Sequence, residues 1–98
     1  MGARTFEVVA SGETVNAAFA NARREAQYEC GHCGYTGTIA EKHSFVMSAH
    51  GRHSLTDARL LVRKLLEDDN SGIADKWGPA GCIEIEAGKY YFFGWASC

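Results

Sequence analysis

Cys30-Gly31-His32-Cys33-Gly34-Tyr35 is the densest run of reactive side chains in the sequence. A Cys-x-x-Cys in a glycine-rich turn has the form of a zinc knuckle, in which freed backbone amides point at thiolate sulfurs held ~2.3 Å from the metal. A closed site needs four ligands and no second Cys-x-x-Cys follows, so the remainder would come from among His43, His50, His53, Cys82 and Cys98. Cys30, Cys33 and His43 are the metal candidates. Two unmetallated thiols in a glycine turn are the plainer reading. Thioredoxin-like redox chemistry is disfavoured, because Cys30 follows a helix and meets the negative end of its dipole, where the thiol form is preferred.

A second candidate is an anion site. Gly51-Arg52-His53-Ser54 leads from a strand into a helix start, where unpaired amides and the dipole favour negative charge. Arg52 adds a fork of donors suited to phosphate. With Lys42, His43 and His53 nearby, and Tyr35 or Trp77 to stack on a base, the ligand would be a nucleotide-type anion. The glycines of Gly31-x-x-Gly34-x-x-Gly37 do not make a dinucleotide loop, since that fingerprint follows a strand and opens a helix, and this one does the reverse. Glu84 and Glu86 lie ~7 Å apart on one strand face, near enough for acid and base. Charges on the solvent side of a hairpin explain them better. No Ser-His-Asp or Cys-His set has a spacing signal, so the chain reads as a non-enzyme without a cofactor.

The whole chain sets the frame for these residues. Ninety-eight residues with 46% hydrophobic and 22% charged side chains fit one globular domain, residues 1–98. A net charge of −2 argues against a general nucleic-acid binder, which needs a cationic face to displace counterions. Apolar runs are far shorter than the ~20 residues that cross a bilayer, and no secretory pattern follows Met1. No membrane association is expected, and the expected compartment is the cytoplasm with reduced cysteines.

Periodicity then places the elements. Phe6, Val8 and Ala10 alternate along a strand, Thr5 to Ala10, and Ser11 is expected to cap the helix after it. From Thr14 to about Tyr28 the stripe Val15, Ala18, Phe19, Ala22 and Ala26 forms a helical face dominated by alanine. Thr36 to Lys42 and His43 to Ala49 both read as extended, either as a hairpin about Glu41-Lys42 or as one bent strand. Ser54 caps a second helix whose face is Leu55, Ala58, Leu61, Val62, Leu65 and Leu66. Cys82 to Glu86 and Lys89 to Ala96 form a hairpin about Ala87-Gly88, with Glu86 facing Lys89.

The fold class expected is α+β, a two-layer domain in the order β-α-β-β-α-β-β, with both helices on one face of an antiparallel or mixed sheet. Its core would hold Phe6, Val8, Phe19, Phe45, Met47, Leu61, Leu65, Ile83, Ile85 and Phe92. That register groups Ile83, Ile85, Tyr90 and Phe92 beneath the helices and turns Cys82, Glu84, Tyr91, Phe93 and Trp95 outward. Exposed aromatics in such a row mark a partner surface, so Tyr91, Phe93, Trp95 and Glu84 are the interface candidates.

Gly31-His32-x-Gly34-Tyr35-x-Gly37-Thr38-Ile39, with Asp75-Lys76-Trp77-Gly78-Pro79-Ala80-Gly81 and Phe92-Phe93-Gly94-Trp95, resembles a group of small uncharacterised open reading frames of actinobacterial phages. The likeness spans most of the chain. It implies a phage origin and action in the cytoplasm of an infected host, with no assigned activity. Members of that group tend to carry glycine where Cys33 stands, which weighs against zinc. The function expected is a non-catalytic binding protein that acts on a host protein or self-associates, as a dimer or higher, through the C-terminal hairpin. The alternatives are a sponge for a nucleotide-type anion that blocks host defence signalling and a structural zinc module.

Overall fold

The computed structural model describes residues 3–30, 38–68 and 78–97. Strand β1 (Ala3–Ser11) is followed by helix α1 (Val15–Cys30), a 3-10 turn (Ile39–Glu41), strand β2 (Phe45–Arg52), helix α2 (Leu55–Glu67) and strands β3 (Ala80–Glu86) and β4 (Lys89–Ser97). The class is α+β with a mixed sheet and two helices. The sheet order is β1-β4-β3-β2; β4 runs antiparallel to both its neighbours, and β2 and β3 pair in parallel. Among the described residues no helix is long and apolar enough to cross a membrane.

Local chemistry accounts for most element ends. Ser54 accepts from the Asp57 amide at 3.2 Å, which satisfies one of the orphan donors of α2. At α1 the cap is Thr14 rather than Ser11: Thr14 Oγ1 accepts from the Ala17 amide at 3.1 Å, while the Ser11 carbonyl accepts from Asn21 Nδ2. Gly88 holds φ 78° in the turn between β3 and β4, a conformation that favours glycine, and Glu86 pairs with Lys89 at 3.5 Å across it.

The segment from Thr38 to Lys42 is not a strand. Thr38 accepts from the Ala40 amide and starts the 3-10 turn, and the Lys42 amide closes it on the Ile39 carbonyl. A threonine hydroxyl offered to the backbone two residues on competes with extension. Ile39 is buried by this turn against α1 and the sheet.

The two helices lie on opposite faces, which corrects the two-layer expectation. On one side Phe19, Ala18 and Ala22 of α1 pack over Phe6, Ala10, Cys82 and Phe92, with Phe45 beside them. On the other, Ala58 and Val62 of α2 pack over Ile83, Tyr91 and Phe93, with Leu61, Leu65, Leu66 and Ile85 at the margin. The central hairpin is apolar on both faces, and a sheet of that kind needs cover on both.

A single inserted residue sets which side chains share a face. Cys82 pairs with Phe92, Ile83 with Tyr91 and Glu84 with Tyr90, but Glu86 pairs with Lys89, so the register shifts at Ile85. One extra residue in a strand moves the pairing by one and exchanges the faces beyond it. Ile83 therefore sits with Tyr91 under α2, not with Phe92 under α1. Met47, expected in the core, is half-exposed on the outer strand β2, beyond the reach of α1.

Candidate binding surface

Strand β4 lies inside the sheet, and this removes the hairpin as an interface. Tyr91 is 4% exposed and Phe93 fully buried, both beneath α2, and Trp95 is half-buried with its Nε1 donating to the Leu66 carbonyl at 2.9 Å. That carbonyl is one of the last in α2, so Trp95 ties the helix end to the sheet. Glu84 is part-buried and holds Arg52 at 3.3 Å. The physical reason is the register shift together with α2 crossing to the second face.

Among the described residues the proposed anion ligands are engaged separately. Arg52 and His53 meet Glu84, the first through its guanidinium and the second through its backbone amide, 3.0 Å from the Glu84 carbonyl. Lys42, 1% exposed, is turned into the fold, where Nζ donates to the Gly78 carbonyl at 2.8 Å; a solvated anion contact is closed to it. His43 is exposed. Tyr35, Trp77 and Cys33 lie outside the described residues, and the Cys30 side chain does too. Among the described residues no three His, Cys, Asp or Glu side chains gather as metal ligands.

The surface that sequence reasoning missed is built on β1. Phe6 and Ala10 turn inward to α1, and Thr5, Glu7 and Val9 turn to the face that α2 covers only over β3 and β4. Val9 is 44% exposed as a result. A recess of about 420 Å³ opens there between β1 and α2, lined by Glu7, Val9, Tyr91, Arg59 and Arg63. The Tyr91 hydroxyl donates to Glu7 Oε1 at 2.5 Å and accepts from Arg59. Burial, and then Glu7, push the Tyr91 hydroxyl up to about 12, with Arg59 opposing.

A second recess, about 250 Å³, flanks the same strand on its other face, between Phe6 and Val8 of β1 and Glu25, Ala26 and Glu29 of α1. Helix α2 thus sets arginines beside one face of β1, next to the strand's own Glu7, and helix α1 sets glutamates beside the other, the side of its own Arg4. Among the described residues the outer backbone of β1 is unpaired as well. Gly12 and Gly88 extend the β1–β4 register, and the Gly12 amide donates to the Gly88 carbonyl at 3.0 Å. By antiparallel alternation the even residues of β1 bond to β4, and the amides and carbonyls of Thr5, Glu7 and Val9 point away from the sheet. The period-two pattern of β1 and the four-residue spacing of Arg59 and Arg63 were visible in the sequence. That β1 is an edge, beside α2, was not.

No protein-family model matches the chain, and neither a curated protein nor a solved structure matches it.

Proposed function

We propose that the chain is a non-catalytic binding protein that takes an extended segment of a protein partner as an added strand on β1. The observation that carries this reading is the form of the edge: nine residues in unbroken register with β4, without proline or bulge. Edge strands of soluble proteins are usually blunted by such devices, and an edge left straight is a template for pairing. The other edge is blunted, because β2 shifts register between Met47 and Arg52 and bends at Gly51 with φ 70°.

In strand addition, main-chain hydrogen bonds supply affinity and recesses for alternate side chains supply selectivity. Here alternate side chains of the added strand meet arginines on one face and glutamates on the other. The preferred segment alternates acidic and basic residues with that period. A host-cell protein, the target implied by the phage resemblance, would be engaged through such a segment.

Selection from a display library of random twelve-residue segments tests the reading. Selected segments should alternate acidic and basic residues and slow hydrogen exchange at the Thr5, Glu7 and Val9 amides. Binding should fall at least tenfold in Val9→Pro, which removes an outward amide while keeping the ladder to β4. Segments that protect a different surface and bind Val9→Pro unchanged would overturn it.

A further inference from the structure

We infer that, where no partner segment occupies it, β1 pairs with the β1 of a second copy of this chain. The result is a two-fold dimer with a continuous eight-stranded sheet, from which a partner segment would displace one copy. This inference rests on strand addition at β1 and names its occupant. Antiparallel pairing of two identical edges is self-complementary and closes after two copies.

Charge favours this occupant. A two-fold axis normal to the sheet keeps each face on its own side. The partner's β1 therefore presents its Glu7 on the face that carries Arg59 and Arg63. Its Arg4, which pairs with the buried Ala96 and is exposed on the α1 face, falls on the side of Glu25 and Glu29. The strand thus carries the alternation of charge that its own flanks select.

Helix spacing favours it too. Helix α1 lies over β1 and β4, so the axis relates two α1 helices across about two strand spacings, roughly 10 Å. Packed helices lie about 8–10 Å apart, so the same operation that joins the edges seats α1 on its copy. Tyr28, 90% exposed on the turn that carries Arg24, Glu25 and Glu29, gains a partner there. The outward groups belong to odd residues, so the register steps by two. Full overlap sets Glu7 against Glu7 of the second copy, a like-charge pair, and a two-residue slip relieves it.

Sedimentation and native mass measurement across a dilution series, read with hydrogen exchange, test the dimer. Twice the 10.7 kDa chain mass is expected at tens of micromolar, with the Thr5, Glu7 and Val9 amides protected in the dimer and released on dilution. Val9→Pro should shift dissociation at least tenfold. Thr5→Lys, which keeps every backbone amide and places a charge on an exposed edge position, should do the same. A monomer at every concentration, or a dimer indifferent to both substitutions, overturns the inference. If a monomer still takes library segments on β1, only the second copy is wrong; if those amides protect with neither, strand addition fails as well.

Discussion

The Tyr91 hydroxyl reaches diagonally across the β1–β4 ladder to Glu7, its oxygen 2.5 Å from Oε1, while Val9 stands directly opposite Tyr91. This bond joins the covered middle of the sheet to its open edge. It holds Glu7 beside Arg59 at the mouth of the recess.

Replacing Tyr91 by Phe keeps the ring against Phe93 and removes the bond. A loss of about 1 kcal/mol in unfolding free energy is expected, as for a single hydrogen bond with an exposed acceptor. The pH dependence gives the sign. Folding raises the Tyr91 pKa from 10.0 to about 12, so its share of stability is complete below pH 10 and is lost as pH climbs toward 12. Urea unfolding of wild type and Tyr91→Phe at several alkaline pH values should show the gap between them closing and then reversing over that interval, because a rise from 10.0 to about 12 outweighs a single bond. A constant gap would contradict the assignment.

Cys82 should resist alkylation in the native protein. It is fully buried on the α1 face of β3, and burial first, then Glu84, raises its thiol to about 12. Thiolate is the reactive form, so almost none is present at pH 8. Peptide mapping after iodoacetamide should find Cys82 unmodified under native conditions and labelled in urea. Native labelling at a rate comparable to that in urea would place the thiol outside the core.

Gly12 should not tolerate a side chain. A Cβ there would stand 2.5 Å from the Ala18 backbone nitrogen and 2.9 Å from the Ala17 carbonyl carbon, and backbone atoms of a helix cannot rotate away. Gly12→Ala is expected to destabilise by about 2–3 kcal/mol, the upper part of the range for overpacking. The urea midpoint checks it, and an unchanged midpoint would show that α1 does not approach the end of β1 this closely.

Lys42 should matter for folding and not for ligand capture. Its amine bonds the Gly78 carbonyl and links the 3-10 turn to the approach to β3, where the Ala80 amide donates to the Ser44 carbonyl. Lys42→Ala loses that bond and opens a cavity, so a cost of about 2–4 kcal/mol in chemical denaturation is expected. Full stability with weaker anion binding would instead restore Lys42 as a surface ligand.

How far the sequence reaches can be judged from single elements. The stripe from Leu55 to Leu66, the Ser54 cap and the Ala87-Gly88 turn with its Glu86–Lys89 pair all follow from residues within one or two turns of each other. Such short-range patterns determined the α+β class, the extent of both helices and the C-terminal hairpin. They also determined that the hairpin is apolar on both sides. Which neighbour would cover each side was decided by pairings between β1 and β4 and between β2 and β3, distant in the chain. No local period encodes those pairings. The inserted Ile85 carries no signature in the sequence, yet one residue of shift exchanges Phe92 and Tyr91 between faces. Tertiary structure therefore buried the aromatics expected at the surface, turned Lys42 inward, and placed at the edge of the described sheet a first strand that sequence alone marked only as amphipathic.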